Sequence, residues 1–228
     1  MKQRYVSIMG DSISTYAGYS PQGYSVFYDE NNQKRNGLRS VYDTWWAKVN
    51  QYLSAYICVN NSYSGSMVTG LKFPSASSTE RIKTLHKQMA RPDIILIYIG
   101  CNDFGRGVKV RNNLRGVHTS DNFFDCYTYM LKGIKAFYPS AHIVCGTLMR
   151  SYIKDKINWV FPENFAGEKF SDFNVAIREA THVEKCSLAD LESLNYRYET
   201  LDGTHPTVQG HAMLAQAWVE CLRKERIV

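Results

Sequence analysis

The sequence predicts an α/β protein in which helices cover both faces of a five-stranded parallel sheet, a three-layer, doubly wound arrangement. Two observations support this fold class. Short apolar runs of strand length recur along the chain, and stretches of helical period separate them. Strands joined through helices run parallel and need helices on both faces of the sheet. No repeat or linker divides the 228 residues, so we expect residues 1–228 to form a single domain.

Each element of this fold follows from a local pattern. The predicted strands are short apolar runs at 5–9, 56–60, 93–99, 142–148 and 186–191. The predicted helices lie near 43–54, 79–90, 121–137 and 171–185, with a last helix from 206 to about 223. In that last helix Leu214, Trp218 and Leu222 share one face, and Pro206 suits the first helical position.

Composition excludes several classes of protein. The apolar fraction of 44% and the charged fraction of 21% are those of a soluble globular protein, and no apolar run is long enough for a membrane span. The net charge of +6 comes from local clusters without a nucleic-acid motif, so we expect no nucleic-acid partner. The basic segment 105–115 is the one patch that could meet an anionic substrate. Without a signal-like start the chain is expected to be cytoplasmic as given, or secreted if a signal peptide has been removed.

Polar residues follow the predicted strands at the points where the strands end. Gly10-Asp11-Ser12 follows the first strand, the segment 60–65 ends the second, and Gly100-Cys101-Asn102-Asp103 follows the third. Asp202 and His205 come after the last strand. Doubly wound sheets place their sites outside the carboxyl ends of the strands, so we expect these loops to converge on one edge.

These residue types suit nucleophilic catalysis. A serine hydroxyl stays protonated at neutral pH and becomes a nucleophile only beside a base, which in turn needs a group that fixes its tautomer. Ser12, His205 and Asp202 could fill those three roles. Each residue alone also has an ordinary structural explanation, since Ser12 could cap a helix and Asn102-Asp103 resembles turn chemistry. Their joint occurrence in one order favours the catalytic interpretation.

With these blocks the chain resembles the SGNH hydrolase superfamily, also called the GDSL esterases and lipases. The resemblance rests on Gly10-Asp11-Ser12, Gly65, the GxND block at 100–103 and the DxxHP block at 202–206, in the family's order. It implies a flavodoxin-like SGNH hydrolase fold. The α/β-hydrolase motif G-x-S-x-G is absent, which argues against that neighbouring class.

The resemblance also implies roles for individual residues. Ser12 is the expected nucleophile, His205 the base and Asp202 the residue that orients the base. The backbone N–H groups of Ser12 and Gly65 and the side-chain amide of Asn102 form the expected oxyanion hole. Asp11 and Asp103 are interpreted as loop-ordering residues. No cofactor or metal is implied.

The expected activity is a serine esterase that hydrolyses short-chain acyl esters through an acyl-enzyme. Acetyl esters of carbohydrates are the first candidate substrates, on the strength of the aromatic loops and the family's range. The candidate substrate-binding rings are Tyr16, Tyr19, Tyr24 and Trp159. An acyltransferase, a lipase or a thioesterase could use the same triad, and the sequence does not indicate an oligomeric state.

Two other interpretations compete. The turn from Gly10 to Thr15 could cradle a phosphate with backbone N–H groups, which would make the protein a flavodoxin-like nucleotide or phosphate binder without enzymatic activity. Such a binder has no use for a histidine beside Asp202. A metal site at His182, Glu184 and Cys186 is not expected, because no second pair of ligands completes a tetrahedron.

Overall fold

Five strands form one parallel sheet. The computed structural model describes residues 3–111, 121–156, 158–162 and 167–226. The strands of the main sheet are β1 (Tyr5–Gly10), β2 (Tyr56–Ser62), β3 (Ile94–Tyr98), β4 (His142–Gly146) and β6 (Ser187–Ala189). A second, two-stranded parallel sheet pairs β5 (Arg150–Ile153) with β7 (Arg197–Thr200). The order of the main sheet is β2-β1-β3-β4-β6, and the prediction of a five-stranded parallel α/β sheet is confirmed.

Helices flank the main sheet in two groups. The helices are α1 (Glu30–Asn36), α2 (Trp45–Tyr52), α3 (Thr79–Lys83), α4 (Cys101–Gly105), α5 (Phe123–Phe137), α6 (Phe170–Val183) and α7 (Val208–Lys224). Helix α2 packs against α7, whereas α5 packs against α3 and α6. The indole of Trp45 stacks on that of Trp218 with centroids 5.2 Å apart, and both are fully buried between α2, α7 and the sheet. Burying one such side chain stabilises the fold by roughly 1.5–3 kcal/mol.

Two predicted helix boundaries are wrong, each for a local reason. The helix expected at 79–90 ends at Lys83, because the Thr84 hydroxyl donates to the Arg81 carbonyl and the Leu85 N–H donates to the Tyr138 hydroxyl. The last helix begins at Val208 and not at Pro206, because the Thr207 side chain caps it by accepting from the Gly210 N–H at 3.2 Å.

The small β5–β7 sheet was not predicted. Both strands have only four residues, of which two are buried in each, so their sequences carry little strand signal. The sheet holds the loop that follows β7 through two hydroxyls. Thr200 accepts from the Gly203 N–H at 3.0 Å, and Ser151 donates to the Gly203 carbonyl at 2.6 Å. Asp202 and His205 therefore follow β7, and not the predicted strand at 186–191.

Among the described helices, none combines the length and the apolar character that a membrane crossing requires.

Candidate active site

The first functional side chain lies in the turn that follows β1. The Asp11 carboxylate begins a short 3-10 turn at Ser12–Ser14 by accepting the Ile13 N–H at 3.0 Å. Gly10 permits the tight exit from the strand, since a Cβ there would come within 2.6 Å of the Ser14 hydroxyl. The turn leaves Ser12 6% exposed at the carboxyl edge of the sheet.

The structure brings the three predicted triad residues together. The Nε2 atom of His205 lies 2.9 Å from the Oγ atom of Ser12, although 193 residues separate them. On the other side of the ring, Nδ1 lies 2.7 Å from Oδ2 of Asp202. A hydrogen-bonded chain of this kind, from carboxylate through imidazole to hydroxyl, can activate a serine as a nucleophile.

Hydrogen bonds hold Asp202 in its ionised form. Burial alone would raise the pKa of this carboxyl, but the His205 ring and the backbone N–H groups of His205 and Thr204 donate to it and lower the pKa to about 2. The carboxylate thus keeps its negative charge at neutral and at mildly acidic pH. It can fix the tautomer of His205 and stabilise the imidazolium that forms when His205 takes a proton.

An aromatic ring that sequence reasoning did not assign to the site covers the imidazole. Phe27 stacks face to face on His205, with centroids 3.4 Å apart and planes inclined by 8°. The Phe27 N–H donates to the Thr15 hydroxyl at 3.0 Å, and Thr15 donates to the Ser12 carbonyl at 2.9 Å. The next residue, Tyr28, donates its hydroxyl to the Pro206 carbonyl at 2.7 Å.

Through these contacts the segment after the nucleophile joins the serine turn to the histidine loop. The sequence offered one signal, a long run of aromatic residues after Ser12, but no pattern distinguished Phe27 from its neighbours.

Helix α4 positions the second and third loops of the site. The Asn102 amide donates to the Ser66 carbonyl at 2.9 Å, which leaves its other N–H available. The Asp103 carboxylate accepts the Val68 N–H at 2.8 Å and the Thr69 N–H at 2.9 Å. Gly65 has a φ of +73°, a conformation in which a side chain would be strained. Within the described part of the chain, no acceptor takes the N–H of Ser12 or Gly65.

Buried charges lie directly beneath these loops. Arg81 is completely buried and donates to the carbonyls of Gly10 and Asn61 at 2.5 and 3.0 Å, so it links the ends of β1 and β2. Burial lowers its pKa to about 10, which still leaves it charged at neutral pH. Burial raises the pKa of Asp11 and of Asp103 to about 6, against the opposing effect of their hydrogen bonds.

The four predicted substrate-binding rings occupy different positions. Tyr16 is only 7% exposed and donates its hydroxyl to Gln33, so little of its face can meet a ligand. Tyr19 is half exposed and lines two adjoining cavities of about 580 and 260 Å³ along β2. Tyr24, also half exposed, packs against Tyr63, two residues before Gly65. The indole of Trp159 lies 3.2 Å from the position a Cβ would take on Gly203.

Tyr24 therefore lies near the loop that carries Gly65, and Trp159 lies near the loop that carries His205. Tyr19 lies farther along the sheet edge, where its ring contacts Trp46 at 5.8 Å.

The structure does not group His182, Glu184 and Cys186 as ligands of a metal site. Glu184 faces Lys135 at 3.3 Å and Lys132 at 3.8 Å. Among the residues that the structure describes, no three His, Cys, Asp or Glu side chains lie close enough together to hold a metal ion.

Solved structures share this fold. A crystal structure described as a GDSL-like lipase from Bacteroides ovatus ATCC 8483 superposes with a TM-score of 0.75 at 24% identity, covering 98% of this chain and 100% of that chain. Another, described in the same words, from Bacteroides uniformis ATCC 8492, gives 0.72 at 24% identity over 97% and 96% of the two chains. A carbohydrate esterase family 2 enzyme from Corynascus thermopiles gives 0.60 at 17% identity, over 100% of this chain and 68% of that one. At these identities the likeness establishes the fold alone.

The family comparison reaches further than the fold. No curated protein sequence matches the chain. The family model of the GDSL-like lipase/acylhydrolases matches residues 4–164, which include Ser12, Gly65 and Asn102. Asp202 and His205 lie beyond the matched residues, so their assignment rests on the hydrogen-bonded geometry. The match covers well over half of the chain, which therefore belongs to the GDSL-like lipase/acylhydrolase family of the SGNH hydrolase superfamily.

Proposed function

We propose that this protein is a serine esterase that hydrolyses short-chain acyl esters, acetyl esters first among them, through an acyl-enzyme. The observation that carries the proposal is the continuous hydrogen-bonded chain from Ser12 through His205 to Asp202, with distances of 2.9 and 2.7 Å. The family match supports the reaction class, because its members are lipases and acylhydrolases.

The reaction takes place in two halves. Oγ of Ser12 attacks the ester carbonyl carbon while its proton passes to Nε2 of His205. The tetrahedral intermediate then collapses, the bond to the alcohol oxygen breaks, and Nε2 returns the proton to the leaving alcohol. Water then attacks the carbonyl carbon of the acyl-serine while its proton passes to Nε2 of His205. The second tetrahedral intermediate collapses, the bond to Oγ of Ser12 breaks, Nε2 returns the proton to Oγ, and the carboxylic acid leaves. Asp202 stabilises the imidazolium in both halves.

Negative charge develops on the carbonyl oxygen in each tetrahedral intermediate. The proposed donors to that oxygen are the N–H groups of Ser12 and Gly65 and the free amide N–H of Asn102. Both backbone groups lack an acceptor in the described part of the chain, and Asn102 is oriented by its bond to Ser66. Donors fixed in advance stabilise the intermediate without reorganisation, and removing one typically costs ~10²–10³ in rate.

Carbohydrate acetyl esters are the proposed substrates. Tyr24 packs on Tyr63 near Gly65, Trp159 lies beside Gly203, and flat aromatic faces suit stacking on sugar rings. The fold likeness to a carbohydrate esterase is consistent with this choice. A lipase, a thioesterase or an acyltransferase would share the triad and differ in the acyl chain or in the acceptor of the acyl group.

The phosphate-binding alternative fits the turn after β1 less well. The N–H groups of Ile13, Ser14 and Thr15 already donate to the Asp11 carboxylate, the Asp11 carbonyl and the Ser12 carbonyl. A phosphate cradle needs such groups free. The buried Asp11 carboxyl would also repel a phosphate when ionised.

The test uses a fluorophosphonate and a panel of esters. We expect mass spectrometry to find one phosphonyl group on Ser12, and none on the Ser12→Ala variant.

Ser12→Ala and His205→Ala should each abolish most hydrolysis of p-nitrophenyl acetate, and the double variant should be scarcely worse, because the triad acts as a unit. Acetylated oligosaccharides should be deacetylated and octanoyl esters turned over more slowly. An active Ser12→Ala protein would overturn the nucleophile assignment, and a preference for octanoyl esters would favour a lipase or thioesterase.

A further inference from the structure

A guanidinium lies beside the glycine of the oxyanion loop. Arg106 follows α4, and its Nη2 atom donates to the Gly65 carbonyl at 3.1 Å. The same nitrogen lies 3.3 Å from the position a Cβ would take on Gly65. Of the described residues other than the two chain neighbours, no other has a heavy atom within 4 Å of that position. The space on this side of Gly65 is therefore open except for the arginine.

Arg106 differs from the other described cations of its segment. Lys109 faces Glu168 at 3.8 Å, and Arg111 forms an ion pair with Glu179 and lies over the Phe124 ring. Arg106 is exposed and has no acidic partner among the described residues. A guanidinium carries five N–H donors, and the bond to Gly65 uses one nitrogen of the fork.

Among the residues that the structure describes, the acidic groups near this edge of the sheet make no ion pair with Arg106. Asp202 is engaged by His205 and its loop. Asp11 and Asp103 are buried below the loops, and Asp103 is engaged by the backbone N–H groups of Val68 and Thr69. A substrate that enters beside Gly65 thus meets a positive charge at the surface, and a carboxylate is the group that the planar fork of arginine matches best.

We infer that Arg106 is a specificity-determining residue that binds a carboxylate on the ester substrate. The inference rests on the proposed esterase function and names the substrate class more closely, as acidic esters such as those of acidic sugars. The carboxylate could belong to the acyl part or to the alcohol part of the ester, and matched substrate pairs distinguish the two.

The experiment compares each acidic ester with its own methyl ester. The alcohol-side pair is 4-acetoxybenzoate and methyl 4-acetoxybenzoate, and the acyl-side pair is mono(4-nitrophenyl) succinate and 4-nitrophenyl methyl succinate. We expect the wild type to favour one acidic member in kcat/KM, and Arg106→Gln to lower kcat/KM for that acidic ester about tenfold more than for its methyl ester. Arg106→Lys should keep part of the preference, because it keeps the charge and loses the fork. Added salt should weaken the preference.

The control variant is Arg111→Gln, which removes the same charge from the same segment at a cation that already has a partner. It should leave the preference unchanged. Equal losses on acidic and neutral esters in Arg106→Gln would show that the arginine only positions Gly65, and an equal effect of Arg111→Gln would show a general field effect. Either result overturns the inference.

A binding measurement separates this inference from the proposed reaction. In the Ser12→Ala background, calorimetry should show tighter binding of the preferred acidic ester than of its methyl ester, and Arg106→Gln should remove the difference. Binding with this preference but without turnover by the native protein would contradict the esterase proposal alone. Turnover of neutral esters without any preference would contradict the role of Arg106 alone.

Discussion

At the scale of single residues, the site is a chain of contacts in which each group fixes the next. Asp202 orients His205 through Nδ1, and Nε2 then meets the Ser12 hydroxyl. These two bonds define the position of the imidazole at its edges and leave its faces to be held by other groups. Phe27 occupies one face at a centroid distance of 3.4 Å, so it limits rotation of the ring out of the plane that both bonds require.

The first prediction concerns this ring. Phe27→Leu should lower kcat for p-nitrophenyl acetate about tenfold with little change in KM, because misplacing the base affects the transition state far more than substrate binding. Phe27→Tyr, which keeps the stacked ring, should recover most of kcat. Steady-state kinetics of the three proteins provide the measurement. If Phe27→Leu and Phe27→Tyr have the same kcat, the stacked ring does not position His205.

At the scale of elements, a helix of five residues organises the loop that carries Gly65. Helix α4 contacts the loop at 65–69 through Asn102 and Asp103 and, just beyond its end, through Arg106. Asp103 matters most for the loop's geometry, since it accepts two backbone N–H groups and the Thr69 hydroxyl. The position of Gly65 thus depends on a carboxylate that is fully buried beneath the loop.

The second prediction tests that dependence. Asp103→Asn replaces one acceptor oxygen by an NH₂ group that faces a donor. The free energy of unfolding of the variant should therefore be about 1–3 kcal/mol lower than that of the wild type. Its kcat should fall as well, because the loop that carries the Gly65 N–H shifts. Asp172→Asn is the control, as Asp172 caps the start of α6 near the surface. Urea unfolding and kinetics check both variants, and a kcat equal to that of the wild type would contradict the proposed link between Asp103 and Gly65.

At the scale of the whole molecule, the fold buries ionisable groups that respond to pH in opposite directions. Asp11 and Asp103 have raised pKa values of about 6, so they keep their protons up to a higher pH in the folded protein than in the unfolded chain. His211 is fully buried, and burial followed by repulsion from Lys48 lowers its pKa from 6.5 to about 3. The first two groups favour the folded state on acidification, whereas His211 opposes it.

The third prediction isolates His211. The unfolded chain protonates this residue below pH 6.5, whereas the folded protein keeps it neutral to about pH 3, so its contribution to stability is complete above 6.5 and is lost as the pH falls. His211→Asn retains an acceptor for the Trp45 N–H, which His211 accepts at 3.2 Å. The variant should have a lower free energy of unfolding than the wild type at pH 7.5. This difference in free energy should be about 2 kcal/mol smaller at pH 5.

Urea unfolding at the two pH values measures the gap. Asp11 and Asp103 are present in both proteins, so their effects cancel in the difference. A gap that stays constant or widens on acidification would mean that His211 does not titrate as its burial requires.

The sequence by itself determined the sheet and the chemical identity of the site. Five apolar runs were sufficient to predict the five parallel strands, because a buried strand needs apolar side chains over its whole length and this requirement is local. The serine, glycine, asparagine and histidine blocks were visible for the same reason, since each is a short run of unusual residues at a strand end. The family match spans the first three of these blocks.

Only the tertiary structure decided which residues support that chemistry. The ring of Phe27, the buried guanidinium of Arg81 and the exposed guanidinium of Arg106 look ordinary in the sequence. Their roles come from contacts with residues 41 to 178 positions away. The β5–β7 sheet was hidden because four-residue strands gain their stability from pairing and from hydroxyls such as Thr200, and hardly from their own composition. Contacts between distant segments are fixed only when the whole chain packs, which is why no local pattern could predict them.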